Sequence, residues 1–122
     1  MNTRKKGKIG ELKVIEYLKK KKFSILKHNY FCKYGEIDII AKKNNTLYFI
    51  EVKSVSSKYI NPLLKLNSKK KDNIYKSSMN YLSNINYKNE HIQYFIFIEH
   101  QNQISYYSFN IDTQHTLWKK QK

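Results

Sequence analysis

Gly35-Glu36-Ile37-Asp38-Ile39-Ile40-Ala41 and Phe49-Ile50-Glu51-Val52-Lys53, on either side of Asn44-Asn45, decide how this chain folds. Both halves alternate charged residues with β-branched apolar ones, the period of two that marks strands with unlike faces. Asn tolerates positive φ, so Asn44-Asn45 suits a tight turn. That turn puts Lys43 opposite Thr46. The same register places Asp38 opposite Glu51 and Glu36 opposite Lys53 on one face, with Ile37, Ile39, Ile50 and Val52 on the other. Two carboxylates facing each other across a ladder repel unless one is protonated or a cation lies between them.

The residue types narrow the cation and the chemistry. Carboxylate oxygens with no His or Cys beside them suit Mg²⁺ or Mn²⁺ better than zinc. Lys53 shares the face of Glu51 and can hold a water or offset charge on a phosphate. The set suits hydrolysis of a phosphodiester.

Asp38 followed by Glu51-Val52-Lys53 resembles the PD-(D/E)xK nuclease superfamily, whose restriction-endonuclease-like fold includes the Holliday-junction resolvases. The match is closer to one branch, the YraN-like family of small bacterial proteins. It is carried by Gly7, Gly10-Glu11 and Tyr17-Leu18, the two stretches quoted above, then Ser68, Lys70, Ile74, Ser78 and Tyr81-Leu82. The likeness runs from about residue 7 to 82 and thins afterwards. The family usually carries an Asp in the strand matching Tyr94-Phe95-Ile96-Phe97, and this chain has none there. The resemblance implies a metal-dependent endonuclease acting on DNA, with branched or structured DNA as substrate. In that reading Asp38, Glu51 and the Val52 carbonyl hold the metal, Glu11 completes the site, Lys53 places the attacking water, and Glu36 keeps Lys53 in position. Cleavage of two strands, as in resolvases, favours a homodimer. A module that binds nucleic acid on the same fold without cutting is the alternative.

Composition bounds these readings. A chain of 122 residues, 40% of them hydrophobic, makes one domain with a modest core. The 24 basic residues against 9 acidic ones give a net charge of +15, the footprint of a polyanion binder. Arg4 is the only arginine, a bias toward Lys that an AT-rich genome also produces. Cys32 stands alone, which excludes an intrachain disulfide and suits a reducing compartment. Met1-Asn2-Thr3-Arg4-Lys5-Lys6 has no apolar segment behind it, and no run approaches a membrane span, so a cytoplasmic, membrane-free protein is expected.

Outward from the hairpin, helical spacing runs from about Lys8 to Lys21 and sets Glu11 within the apolar stripe of Val14, Ile15 and Leu18. Glu11 either favours the helix dipole or points toward the carboxylate site. Phe23 to Tyr30 reads as a strand in which His28 is a hydrogen-bonded or solvated residue. Residues 54 to 67 read as a loop, and Ser54 at its start is placed to meet substrate. Ser68 is expected to cap a helix from about Lys69 to Asn84. Lys69, Lys70 and Lys71 fall on its first turn, where they either contact phosphate or form a solvated charge run. His91 to Glu99 and Gln103 to Phe109 form a second hairpin, and 112–122 is a tail. The fold class expected is α/β, a mixed central sheet of about four or five strands flanked by two helices.

Overall fold

The computed structural model describes residues 3–56, 66–88 and 90–111. Most of the expected 54–67 loop, with Pro62, and the tail from 112 lie outside them. Helix α1 spans Thr3–Lys20; strands β1, β2 and β3 span Ser24–Cys32, Gly35–Lys43 and Thr46–Ser54; helix α2 spans Ser68–Ser83; and β4 and β5 span His91–His100 and Gln103–Ser108. The strands form one five-stranded sheet in chain order. Neighbours are antiparallel except β3 and β4, which are parallel and joined through α2. This is the mixed α/β sheet expected, in the restriction-endonuclease-like arrangement.

Each boundary has a local cause. α1 ends where Lys22 takes a left-handed φ of 72°, and Phe23 and Lys22 donate back to the carbonyls of Leu18 and Lys19. That is a Schellman closure with Lys in the position glycine usually takes. Lys19 and Lys20 in the last turn suit the helix dipole. Asn44 has a φ of 56° and pairs Lys43 with Thr46 as expected. Gln101 and Asn102 are both left-handed and make the β4–β5 turn. α2 is capped by Asn67, whose side chain accepts the Lys70 N–H at 2.8 Å. Ser68 is therefore the first helical residue and not the cap; Asn67 serves equally well because its side-chain oxygen reaches the same orphan donors.

The helices cover opposite faces of the sheet. On the α1 side Val14 and Leu18 pack on Ile39, Ala41, Ile50, Val52 and Phe97. On the α2 side Tyr81 packs on Ile37, Ile40, Leu47 and Phe49, and Ile74 packs with Ile96 and Ile98. Central strands buried on both faces explain the low polarity of Tyr94 to Ile98. Ile37 corrects the expectation that it shares a face with Ile39. Asn29, at a φ of 58°, sits between the pairs His28–Ile39 and Tyr30–Ile37 and breaks the pleat. His28 consequently meets Glu11 of α1, while Tyr30 meets Tyr81 and Asn80 of α2.

Candidate active site

The β2–β3 ladder runs from Lys43–Thr46 to Ile39–Ile50 and stops there. Beyond it, one residue on each strand supplies a buried carboxylate. Asp38, 7% exposed, turns its side chain toward β3, where Oδ2 accepts the Val52 N–H at 2.9 Å. Glu51, 3% exposed, shares the α2 face with Leu47 and Phe49. A strand residue presents its N–H and C=O to the same edge, so the Val52 carbonyl faces the gap that Asp38 occupies.

Burial sets the electrostatics. It is the largest cause that pushes the Asp38 carboxyl up to about 8; the Glu51 charge adds to it, the Val52 N–H opposes it, and Glu11 and Glu36 push in the same direction. Glu51 is also raised, chiefly by burial, against the pull of Lys70 and Lys53. Lys70 Nζ lies 3.2 Å from Glu51 Oε2. Burial alone would lower the Lys70 ammonium, yet the carboxylates of Glu51, Asp38 and Glu36 hold it above its ordinary value.

The remaining expected site residues fall around this pair unevenly. Glu11 reaches in from α1 and is held by His28, with Oε1 2.9 Å from Nε2. Lys53 is half-buried and near enough for its charge to act on Glu51. Glu36 is exposed and pairs with Phe31 of β1, and no ion pair joins it to Lys53 among the described residues. The expected Glu36–Lys53 pairing fails because the ladder that would impose it ends at Ile39–Ile50. Lys70 turns inward onto Glu51, leaving Lys69 exposed and Lys71 half-buried. Ser54 is tied into a seam: its Oγ donates to Glu99 Oε1 at 3.2 Å, while Lys13 and the Asn102 N–H bind Oε2 of the same carboxylate. A Cβ on Gly10 would lie 2.0 Å from Ser54 Oγ, so glycine lets α1 approach β3 here.

Two of these relationships escape sequence reasoning. Buried Glu99, 6% exposed, carried one signal, an acid closing an apolar strand. The inward turn of Lys70 had no signal in the local pattern, because Lys69 and Lys71 beside it look alike; only the family resemblance set Lys70 apart.

The donors fit a hard divalent cation. Among the described residues no three of His, Cys, Asp and Glu converge as a cage. Mg²⁺, however, is commonly held by one or two carboxylates with waters and substrate phosphate completing its shell. Asp38, Glu51 and the Val52 carbonyl are such a set.

The fold and this site define a restriction-endonuclease-like α/β domain with a buried acidic pair beside lysines. The chain belongs to the uncharacterised protein family UPF0102, the YraN-like family, whose model matches residues 10–109 and so takes in every site residue named above. It is 54% identical over 54 residues to a UPF0102 protein of Caldicellulosiruptor saccharolyticus, covering 44% of this chain and 46% of that one. It is 55% identical over 53 residues to one of Campylobacter jejuni, covering 43% and 47%. With the Syntrophus aciditrophicus UPF0102 protein the identity is 46% over 77 residues, covering 62% and 61%. The matched segment thus spans about half the length of the first two relatives. Among the described residues no helix is long and apolar enough to cross a membrane.

Proposed function

We propose that this protein is a Mg²⁺- or Mn²⁺-dependent endonuclease that hydrolyses DNA phosphodiesters, with branched or structured DNA as its substrate class. The observation that carries the reading is the Asp38–Glu51 pair. Two carboxyl groups held above their ordinary pKa chiefly by burial, with the Glu51 charge raising Asp38 further, lie at the mouth of a parting ladder; such a pair is unfavourable for folding alone and would become favourable with a divalent cation beside it. Asp38, Glu51 and the Val52 carbonyl would hold the ion, with Glu11 assisting directly or through a water. Bound there, it would supply Lewis-acid polarisation of the phosphate and an acidified water. Lys53 orients the attacking water and offsets phosphate charge. The net charge of +15 favours capture of DNA. Resolvase-like cutting of both strands favours a homodimer, and a DNA substrate with a lone, half-buried Cys32 fits the cytoplasm.

One observation favours a second reading. The Lys70 ammonium already offsets the Glu51 charge, as a module that binds nucleic acid without cutting would require. Incubation with linear, nicked, flapped and four-way DNA in Mg²⁺ and in Mn²⁺ separates the two. Cleavage lost on Asp38→Asn establishes the nuclease, whereas tight binding with no cleavage of any substrate in either metal establishes the binding module.

A further inference from the structure

Lys70 stands in a costly position. It lies on the first turn of α2, where the helix dipole disfavours a cation, and its own N–H is bound to the Asn67 cap. Its side chain is half-buried, which costs hydration. The compensation is Glu51, whose side chain is 4% exposed and sits 3.2 Å away, with the Asp38 and Glu36 charges behind it. Within the described residues Lys69 and Lys71 make no ion pair of this kind.

An ammonium at 3.2 Å from Glu51 Oε2 and a divalent ion bound to the same carboxylate repel each other strongly. Their repulsion weakens the hold of each on Glu51 while the other is bound. The Lys70 side chain is 41% exposed, so it has a way out toward solvent.

We propose that Lys70 is the resident counter-ion of Glu51 in the free protein and yields that carboxylate to the divalent cation by moving onto a substrate phosphate, so that metal and DNA bind cooperatively. This inference rests on the nuclease reading and adds a positioning role for Lys70 distinct from that of Lys53. Free protein keeps its carboxylates neutralised and binds metal weakly. DNA draws Lys70 away and opens the metal site, and by reciprocity metal strengthens DNA binding by the same factor.

The test is calorimetric titration of Mg²⁺ at pH 8.5 into the wild type, Lys70→Met, Lys70→Gln, Lys70→Arg and Lys71→Met, with thermal melts to verify folding. The Gln variant keeps a hydrogen-bond donor for Glu51 in case Met destabilises the fold. Without DNA, the Met and Gln variants should bind Mg²⁺ roughly tenfold more tightly than wild type, while the Arg and Lys71 variants should not. The titrations are repeated with saturating four-way DNA in the Lys53→Ala background, in which cleavage is slowed, and the DNA is checked for integrity on a gel afterwards. DNA should tighten Mg²⁺ binding to the Lys70 protein and leave Lys70→Met unchanged. A merely structural lysine would give equal or weaker Mg²⁺ binding when replaced, and that result overturns the proposal while leaving the nuclease reading in place. Absence of Mg²⁺ binding to every variant, with and without DNA, overturns both.

Discussion

The Asp38 carboxylate accepts the Val52 N–H at 2.9 Å, the bond a β2 carbonyl would take if the ladder continued past Ile39–Ile50. A side chain thus replaces the backbone at the end of the β2–β3 pairing. This keeps the buried Val52 donor satisfied while the strands part, and it holds Asp38 beside Glu51.

Stability should fall with pH because of Asp38. Its unfolded carboxyl titrates near 3.8 and its folded one at about 8. Below the lower value both states are protonated and the folded state has its full stability. Between the two values the folded state keeps a proton that the unfolded state releases, so stability drops as pH rises toward 8. Thermal midpoints at pH 5 and pH 8 without metal should differ by about 3 °C or more in the wild type beyond the difference in Asp38→Asn. Equal differences in the two proteins would remove Asp38 as the cause.

Divalent metal should reverse that loss. At pH 8 the midpoint should rise from EDTA to saturating Mg²⁺ or Mn²⁺, by an amount that grows with metal concentration as mass action requires. Asp38→Asn and Glu51→Gln should show no such rise. A wild-type midpoint indifferent to both metals contradicts the expectation.

Lys53→Ala removes a positive charge from the water-placing position and leaves Asp38 and Glu51 intact. Cleavage should fall by about two to four orders of magnitude, with DNA affinity changed little. A variant that cuts as fast as its parent would take Lys53 out of the chemistry.

Lys69 and Lys71, beside Lys70 on the first turn of α2, are expected to contact phosphate as well. Their double replacement by Ala should reduce the log–log salt slope of DNA binding by up to roughly 2 units. No change in slope would assign them to a solvated face.

Gly10→Ala places a methyl 2.0 Å from Ser54 Oγ and should destabilise the protein by about 1–3 kcal/mol, by forcing Ser54 off Glu99. In a Ser54→Ala background the obstruction is gone, and the better helix propensity of Ala should recover up to about 1 kcal/mol. Denaturant melts of the four proteins measure both effects, and additive losses would argue against the contact.

Local period and turn chemistry were legible without any tertiary information. Alternation in 35–41 and 49–53 with Asn44 in the turn was enough for the hairpin register, which the structure keeps through Ile39–Ile50. Helical spacing was enough to aim Val14 and Leu18 at the sheet. Tertiary structure decided where that register stops and which charges meet. The left-handed Asn29 sits in a neighbouring strand and sends Ile37 to the α2 face, so no pattern within β2 could report it. Glu36 and Lys53 lost their pairing because the strands separate, and Lys70 found Glu51 because the α2 crossover brings the Lys70 side chain within reach of β3. Contacts between elements far apart in sequence depend on packing geometry, and period carries no information about it.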